Sequence, residues 1–393
     1  MAVMGFQYRV TSVSQTLVHF FMAMFAAFYF SLGKFKLSLK FLIVIIVMSL
    51  TMLLNSYESH SPIPQVIFIL SVIKGMLVGF SLYILVGAGR PKKMVSRLFK
   101  TFILIQLIVV FFQVFYGPET FEIWAPTQPD SVVRVANSSE SWDGSSFGLF
   151  SSQVALGYFC LMSLVLVEKV VTPASQDYLI AIVAGFCIVS TFSLAVTACF
   201  FFYILATRIS LVAAVLVAIA SALLLSSFLW SVLNIGGLSL DAYVEVARDN
   251  RLGILIETLP KFFGLSVHEI LFGLGYSNEN LQRFLVSGSA PPMIFVHDGN
   301  STALQDVYHV AILIYFGLLG FLVYVYALWS VASFGYLQSK AHREAIFWML
   351  FFALVLGFFN QVWNVVVFSS LFSFSLLCIW NEASVGERRA AYL

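Results

Sequence analysis

Tyr178 to Ala206 reads YLIAIVAGFCIVSTFSLAVTACFFFYILA, and the topology of the whole chain turns on it. At about 1.5 Å of rise per residue, the run is long for one membrane span and short for two full ones. A polar break, Ser190-Thr191-Phe192-Ser193, divides it and predicts a tight hairpin of two short helices. With two spans, Arg208 lands on the same side as the other short basic loops, and the polar stretch Asn234 to Asp306 lands on the opposite side. One span would reverse both.

The flanking segments are read from the same parity. Lys34, Lys36 and Lys40 lie in one short loop, and Arg90, Lys92, Lys93, Arg97 and Lys100 in another. The excess of Lys and Arg in short loops places both in the cytoplasm. Residues 117–147 then emerge outside, with Glu119, Glu122, Asp130, Glu140 and Asp143 against a single Arg134. After Asn234 to Asp306, a block from about Val307 to Ser333 returns as one span to a basic loop with Lys340 and Arg343. The final run, Ala345 to Trp380, is too long for one span, and Asn360-Gln361-Val362-Trp363-Asn364 marks a turn in its middle. The expectation is an all-α, polytopic integral membrane protein of about eleven transmembrane helices. It forms a single transmembrane domain over residues 1–393, with a large, partly helical outer loop at 234–306 and a smaller one at 117–147. The odd parity puts the N-terminus outside.

Composition agrees with that class. The chain has 393 residues, of which 60% are hydrophobic and only 10% charged, and its mean hydropathy is +0.95. Soluble domains carry roughly 25% charged residues. No dense basic patch exists outside the short loops, which argues against a nucleic-acid partner. Cys160, Cys187, Cys199 and Cys378 all lie inside hydrophobic runs without metal-ligand spacing and read as packing residues. The first hydrophobic segment lacks a small-residue cleavage site, so the first spans themselves are expected to direct insertion. No internal repeat marks duplicated transporter halves.

The outer stretch 234–306 concentrates the side chains with chemistry. Arg248 and Arg251, three apart, share a face if Ser239 to Ile256 is helical. Two guanidiniums suit a pyrophosphate, whose oxygens they grip bidentately; salt bridges to Glu245 or Asp249 are the competing use. Pro260 bends or starts a second helix, and Gly273 and Gly275 permit a tight path back towards the membrane body. His297, shortly before a span, exchanges protons near neutral pH, as a general base must. Asn300 would orient it or the substrate. His309, just inside the span, reads as structural. Asn300 and Ser301 follow His297 where a helical metal pair would need ligands, so neither a metal nor a cofactor is expected. Lys74, within a hydrophobic run, is the one plainly intramembrane charge. It would pair with a carbonyl or a polar residue such as Gln106, or help neutralise a lipid pyrophosphate.

Three stretches together resemble the bacterial O-antigen polymerase and O-antigen ligase superfamily. The first is Arg134 followed by Gly148-Leu149-Phe150-Ser151-Ser152-Gln153, which lacks the family's proline–asparagine pair. The second is Arg251 followed by Ile270-Leu271-Phe272-Gly273-Leu274-Gly275-Tyr276. The third is His297-Asp298-Gly299-Asn300, then Leu304 and Phe316-Gly317-Leu318-Leu319-Gly320, with Asp298 and Gly299 inserted between His and Asn. The family's serine–arginine near Ser193 has no counterpart except Thr207-Arg208, which this topology puts in the cytoplasm.

The resemblance implies metal-independent, inverting glycosyl transfer at the periplasmic face of the bacterial inner membrane. Its donor would be a glycan on undecaprenyl pyrophosphate. The acceptor would be another lipid-linked repeat unit for a polymerase, or lipid A core for a ligase. Arg251, Arg248 and Arg134 would hold the pyrophosphate, with His297 as base. Membrane lipids and a chain-length regulator would be further partners. The acidic outer surface, poor in extra basic residues for a phosphorylated lipid A core, leans the reading towards the polymerase. A polysaccharide transporter and a non-catalytic partner in envelope assembly are the competing classes.

Overall fold

The computed structural model describes residues 74–87, 92–116, 146, 148–150, 153–172, 177–210, 212, 215–216, 219, 258–275, 308–358, 362–363 and 365–391. Every regular element among them is helical. In chain order they are α1 (Lys74–Val86), α2 (Lys92–Tyr116), α3 (Gln153–Val171), α4 (Tyr178–Val189), α5 (Leu194–Arg208), α6 (258–263), α7 (Val267–Phe272), α8 (Tyr308–Tyr336), α9 (Lys340–Gly357) and α10 (Val366–Ala391). Among the described residues α2, α3 and, by length and composition of its whole run, α8 are long and apolar enough to cross a membrane. The first two expected spans and most of both outer loops lie outside the described residues.

The core forms around α3, whose residues from Ala155 to Val165 are all buried. Helices α2, α4, α5, α9 and α10 pack against it. Small residues let these helices approach closely. A Cβ on Gly157 would lie 2.9 Å from Val196 Cγ1, and one on Gly185 would lie 2.7 Å from the Phe200 ring. Likewise a Cβ on Gly75 or Gly79 of α1 would overlap Ser369 or the Ser370 carbonyl of α10. Without a hydrophobic drive between helices in lipid, such backbone proximity supplies the van der Waals contact. The four cysteines are free, and three of them are buried in this core.

The Tyr178–Ala206 run does fold as a hairpin of two short helices. Asp177 caps α4 by accepting the Ile180 N–H at 3.2 Å. The chain reverses at Ser190 to Ser193, where Phe192 takes φ 52° and Thr191 Oγ1 donates to the Ile188 carbonyl at 2.6 Å. The run from Ala345 to Trp380 is likewise divided between α9 and α10.

The expected single span from Val307 to Ser333 is corrected. Gly317 adopts φ 65° and ψ −169°, which ends one helix and starts another. In a straight helix His309 and Tyr324 would stand about 22 Å apart. Instead the Tyr324 hydroxyl lies 3.2 Å from His309 Nδ1, and the Tyr308 and Tyr324 rings are 6.4 Å apart. Residues 308–316 and 318–336 therefore fold back on each other at Gly317. The hydrophobic pattern continues through the break, so hydropathy alone reads one span.

Candidate functional site

The break in α8 is where the outer loop meets the membrane body. Ser266 and Glu269 form a capping box at the start of α7: Ser266 Oγ accepts the Glu269 N–H at 3.3 Å, and Glu269 Oε2 accepts the Ser266 N–H at 3.0 Å. The helix stops at Gly273, with φ 83° and ψ 179°. Residues 273–275 then cross the apex of the α8 fold. Leu274 N–H donates to the Ile314 carbonyl at 2.8 Å and Gly275 N–H to the Tyr315 carbonyl at 3.1 Å. A helix end leaves its last carbonyls without intrahelical donors, and this strap supplies them from another segment. The two backbones are in direct contact. A Cβ on Gly273 would fall 2.5 Å from Gly317 N, and one on Gly317 would fall 2.5 Å from Gly273 N. Both φ values are positive, so glycine is required twice over.

A polar chain fastens the first half of α8 to α9. Trp363 Nε1–H donates to the Tyr324 hydroxyl at 3.1 Å. His309 Nε2 lies 2.8 Å from the Leu354 carbonyl, which can only accept, so Nε2 carries the proton. The Tyr324 hydroxyl then donates to Nδ1, and every member is satisfied with His309 neutral. Both ring nitrogens are committed, which fits His309 as the structural residue read from sequence.

A second anchor joins a loop to α2. Gly148, at φ 59°, donates its N–H to Gln113 Oε1 at 2.8 Å, and its carbonyl accepts from Gln113 Nε2 at 3.0 Å. Gln106 Oε1 accepts the Leu149 N–H at 2.9 Å. Ser146 N–H reaches the Ser190 carbonyl at 2.8 Å, so this loop also touches the α4–α5 turn. The Gln106 side chain suggested as a partner for Lys74 thus serves a backbone amide here, with a second lone pair on its oxygen left over. Lys74 itself is partly buried at the start of α1, next to Gly75 and the first turn of α10. The other expected site residues, His297, Asn300, Arg251, Arg248 and Arg134, lie outside the described residues.

Lys74 is not the only buried charge. Glu168, in the widened last turn of α3, is 3% exposed and pairs with Arg208 at the end of α5. The Tyr203 hydroxyl donates to its second oxygen at 2.8 Å. Sequence analysis did not single out Glu168. The signal available was the Glu168-Lys169 pair interrupting an apolar run that resumes at Val170-Val171. Around this pair runs a belt of contacts: Lys169–Glu344 at 2.8 Å, Lys100–Asp177 at 2.6 Å, Lys92–Glu382 at 2.8 Å and His342–Glu382 at 3.3 Å. The belt lies at the opposite end of α3, α5 and α9 from Gly148, the α4–α5 turn and His309. Arg208 therefore does not stand beside the outer loop.

Among the described residues, no three His, Cys, Asp or Glu side chains converge as metal ligands. No protein-family model, curated protein or solved structure matches the chain.

Proposed function

We propose that this protein is a membrane glycosyltransferase polymerising undecaprenyl-pyrophosphate-linked oligosaccharide repeat units at the periplasmic face of a bacterial inner membrane. The observation that carries the proposal is the placement of the positive-φ glycines. Among the described residues they are Gly148, Gly273, Gly275 and Gly317, and each of the three family-like stretches contains at least one. Two of those stretches, distant in sequence, meet backbone to backbone at Gly273 and Gly317. Segments that chain pattern alone grouped together are thus the ones whose backbones demand glycine.

In the proposed reaction the acceptor hydroxyl attacks the anomeric carbon of the donor sugar from the face opposite the pyrophosphate. The new glycosidic C–O bond forms as the sugar–phosphate bond breaks, and the configuration inverts. His297 takes the hydroxyl proton. Arg251 carries the charge growing on the departing undecaprenyl pyrophosphate, and Arg248, Arg134 and Lys74 help bind it. Asn300 orients the acceptor. Cleavage of the sugar–pyrophosphate bond supplies the driving force, so no nucleotide or cofactor is needed.

The test is an in vitro reaction of purified protein in nanodiscs with a lipid-pyrophosphate-linked repeat unit. Wild type should give a ladder of longer glycans. His297→Ala and Arg251→Ala should lose it while remaining folded. Transfer only when lipid A core is added would replace the polymerase with a ligase. Substrate binding without product under both conditions would sink the enzyme reading in favour of transport or scaffolding.

A further inference from the structure

Arg208 belongs to none of the steps above. Its side chain is 7% exposed, and among the described residues only Nη2 has a hydrogen-bond partner, the Glu168 carboxylate. Nε and Nη1 are buried and, among the described residues, without a hydrogen-bond partner. The face of the guanidinium is covered by the Tyr178 ring, 4.6 Å from the central carbon. A guanidinium offers five N–H donors, and leaving buried donors empty is costly. Glu168 cannot answer them all, since its other oxygen is taken by Tyr203. Among the described residues no other group accepts from these two donors, so they are free to meet an acceptor from another molecule.

The surroundings define what kind. Tyr178, Leu179 and Ile182 on α4, together with Ile209 and Val212 beyond α5, are all more than half exposed apolar side chains. Lys93, Arg97, Lys340 and Arg343 stand at the same end of the bundle, which the basic-loop bias assigns to the cytoplasmic leaflet. An acceptor arriving there has apolar chains beside it and an anionic head.

We infer that Arg208 forms the core of a phosphate site that takes the headgroup of an anionic phospholipid from the cytoplasmic leaflet. The phosphate oxygens accept from Nε–H and Nη1–H, and the acyl chains lie along the exposed face of α4. Tyr178, stacked within and exposed without, is the cover that shifts to admit the phosphate. Glu168 competes with the lipid for the same guanidinium and so tunes its affinity. This inference is independent of the glycosyl-transfer reading.

The experiment uses the full chain, delipidated in detergent and titrated separately with phosphatidylglycerol, phosphatidylcholine and inorganic phosphate. Bound lipid is counted by native mass spectrometry and stabilisation by thermal unfolding. Wild type should prefer phosphatidylglycerol over phosphatidylcholine by about fivefold, because both offer the same phosphate oxygens but the choline ammonium offsets the charge that attracts the basic site. Arg208→Lys, which keeps the charge but loses the two-pronged grip, should lower phosphatidylglycerol retention and narrow the preference, and Glu168→Gln, which leaves the arginine intact, should raise it. Equal retention in Arg208→Lys and wild type would overturn the site. So would an unchanged preference in Glu168→Gln, which decides the matter if Arg208→Lys fails to fold. Stabilisation by inorganic phosphate equal to that by phosphatidylglycerol would show a free-anion site and refute the lipid assignment.

Discussion

Lys92, Lys100, Lys169 and Arg208 each reach an acidic partner on another element, whereas the far end of the same bundle is joined by amides, hydroxyls and bare backbone. There, Gln113 grips Gly148, Ser146 meets Ser190, Trp363 reaches His309 through Tyr324, and Gly273 lies on Gly317. The two means of joining have different tolerances. Ion pairs between long side chains act over several ångströms, can re-form after a small shift, and are individually weak when exposed. A glycine crossing permits no added atom, and fixes two segments to within a fraction of an ångström. The end where the reaction is proposed is thus the one whose geometry is set by backbone contact, which would suit a positioned reaction site.

Substitutions at the two ends should separate these regimes. The largest loss is expected for Gly317→Val, which meets both the positive φ and the Gly273 backbone. Unfolding in detergent should show a cost above about 3 kcal/mol, or no folded protein at all. A near-normal midpoint would refute the fold-back at Gly317. Next comes Glu168→Ala, which strands the buried Arg208 and should cost about 3–5 kcal/mol. The double replacement Glu168→Leu with Arg208→Leu should recover most of that loss, and failure to recover it would mean that the pair contributes more than mutual neutralisation. Gln113→Ala removes both hydrogen bonds to Gly148 and should cost about 1–3 kcal/mol, with accelerated amide exchange at Gly148 and Leu149. Unchanged exchange there would contradict the anchor.

The smallest effect belongs to Lys100–Asp177. Burial raises the Asp177 carboxyl, but the hydrogen bond from Lys100, the Ile180 N–H and the Lys100 charge outweigh it and leave its pKa below the ordinary value. A folded-state pKa below the unfolded one means that the contact stabilises at neutral pH. That contribution fades as pH falls below about 4 and through the folded pKa. The stability difference between wild type and Asp177→Asn should therefore be small and constant from pH 7 to 5, and shrink on further acidification. A difference that grows with acid would reverse the assignment.

Chain pattern revealed the turns better than the bends. Ser190 to Ser193 and Asn360 to Asn364 interrupt apolar runs with polar residues, so the divided runs were legible in advance. Gly317 interrupts nothing, since Phe316 and Leu318 keep the run apolar and its backbone angle depends on the Gly273 strap, far away in sequence. The same holds for the ion-paired belt. Glu168 and Arg208 are forty residues apart, and only the folding of α3 against α5 makes them partners. The glycines at 273 and 275 were read as a path back to the body, and that is where the strap lies. What they bind there required the fold.

The decisive measurement is the accessibility of the two ends from opposite sides of the membrane. In a chain freed of its native cysteines, Phe192→Cys at the α4–α5 turn and Lys93→Cys at the basic end both present exposed positions. With a membrane-impermeant thiol reagent on intact spheroplasts, Phe192→Cys should label and Lys93→Cys should label only after lysis. The opposite pattern would place the glycine-clasped end in the cytoplasm, away from any periplasmic lipid-linked glycan, and would contradict the account.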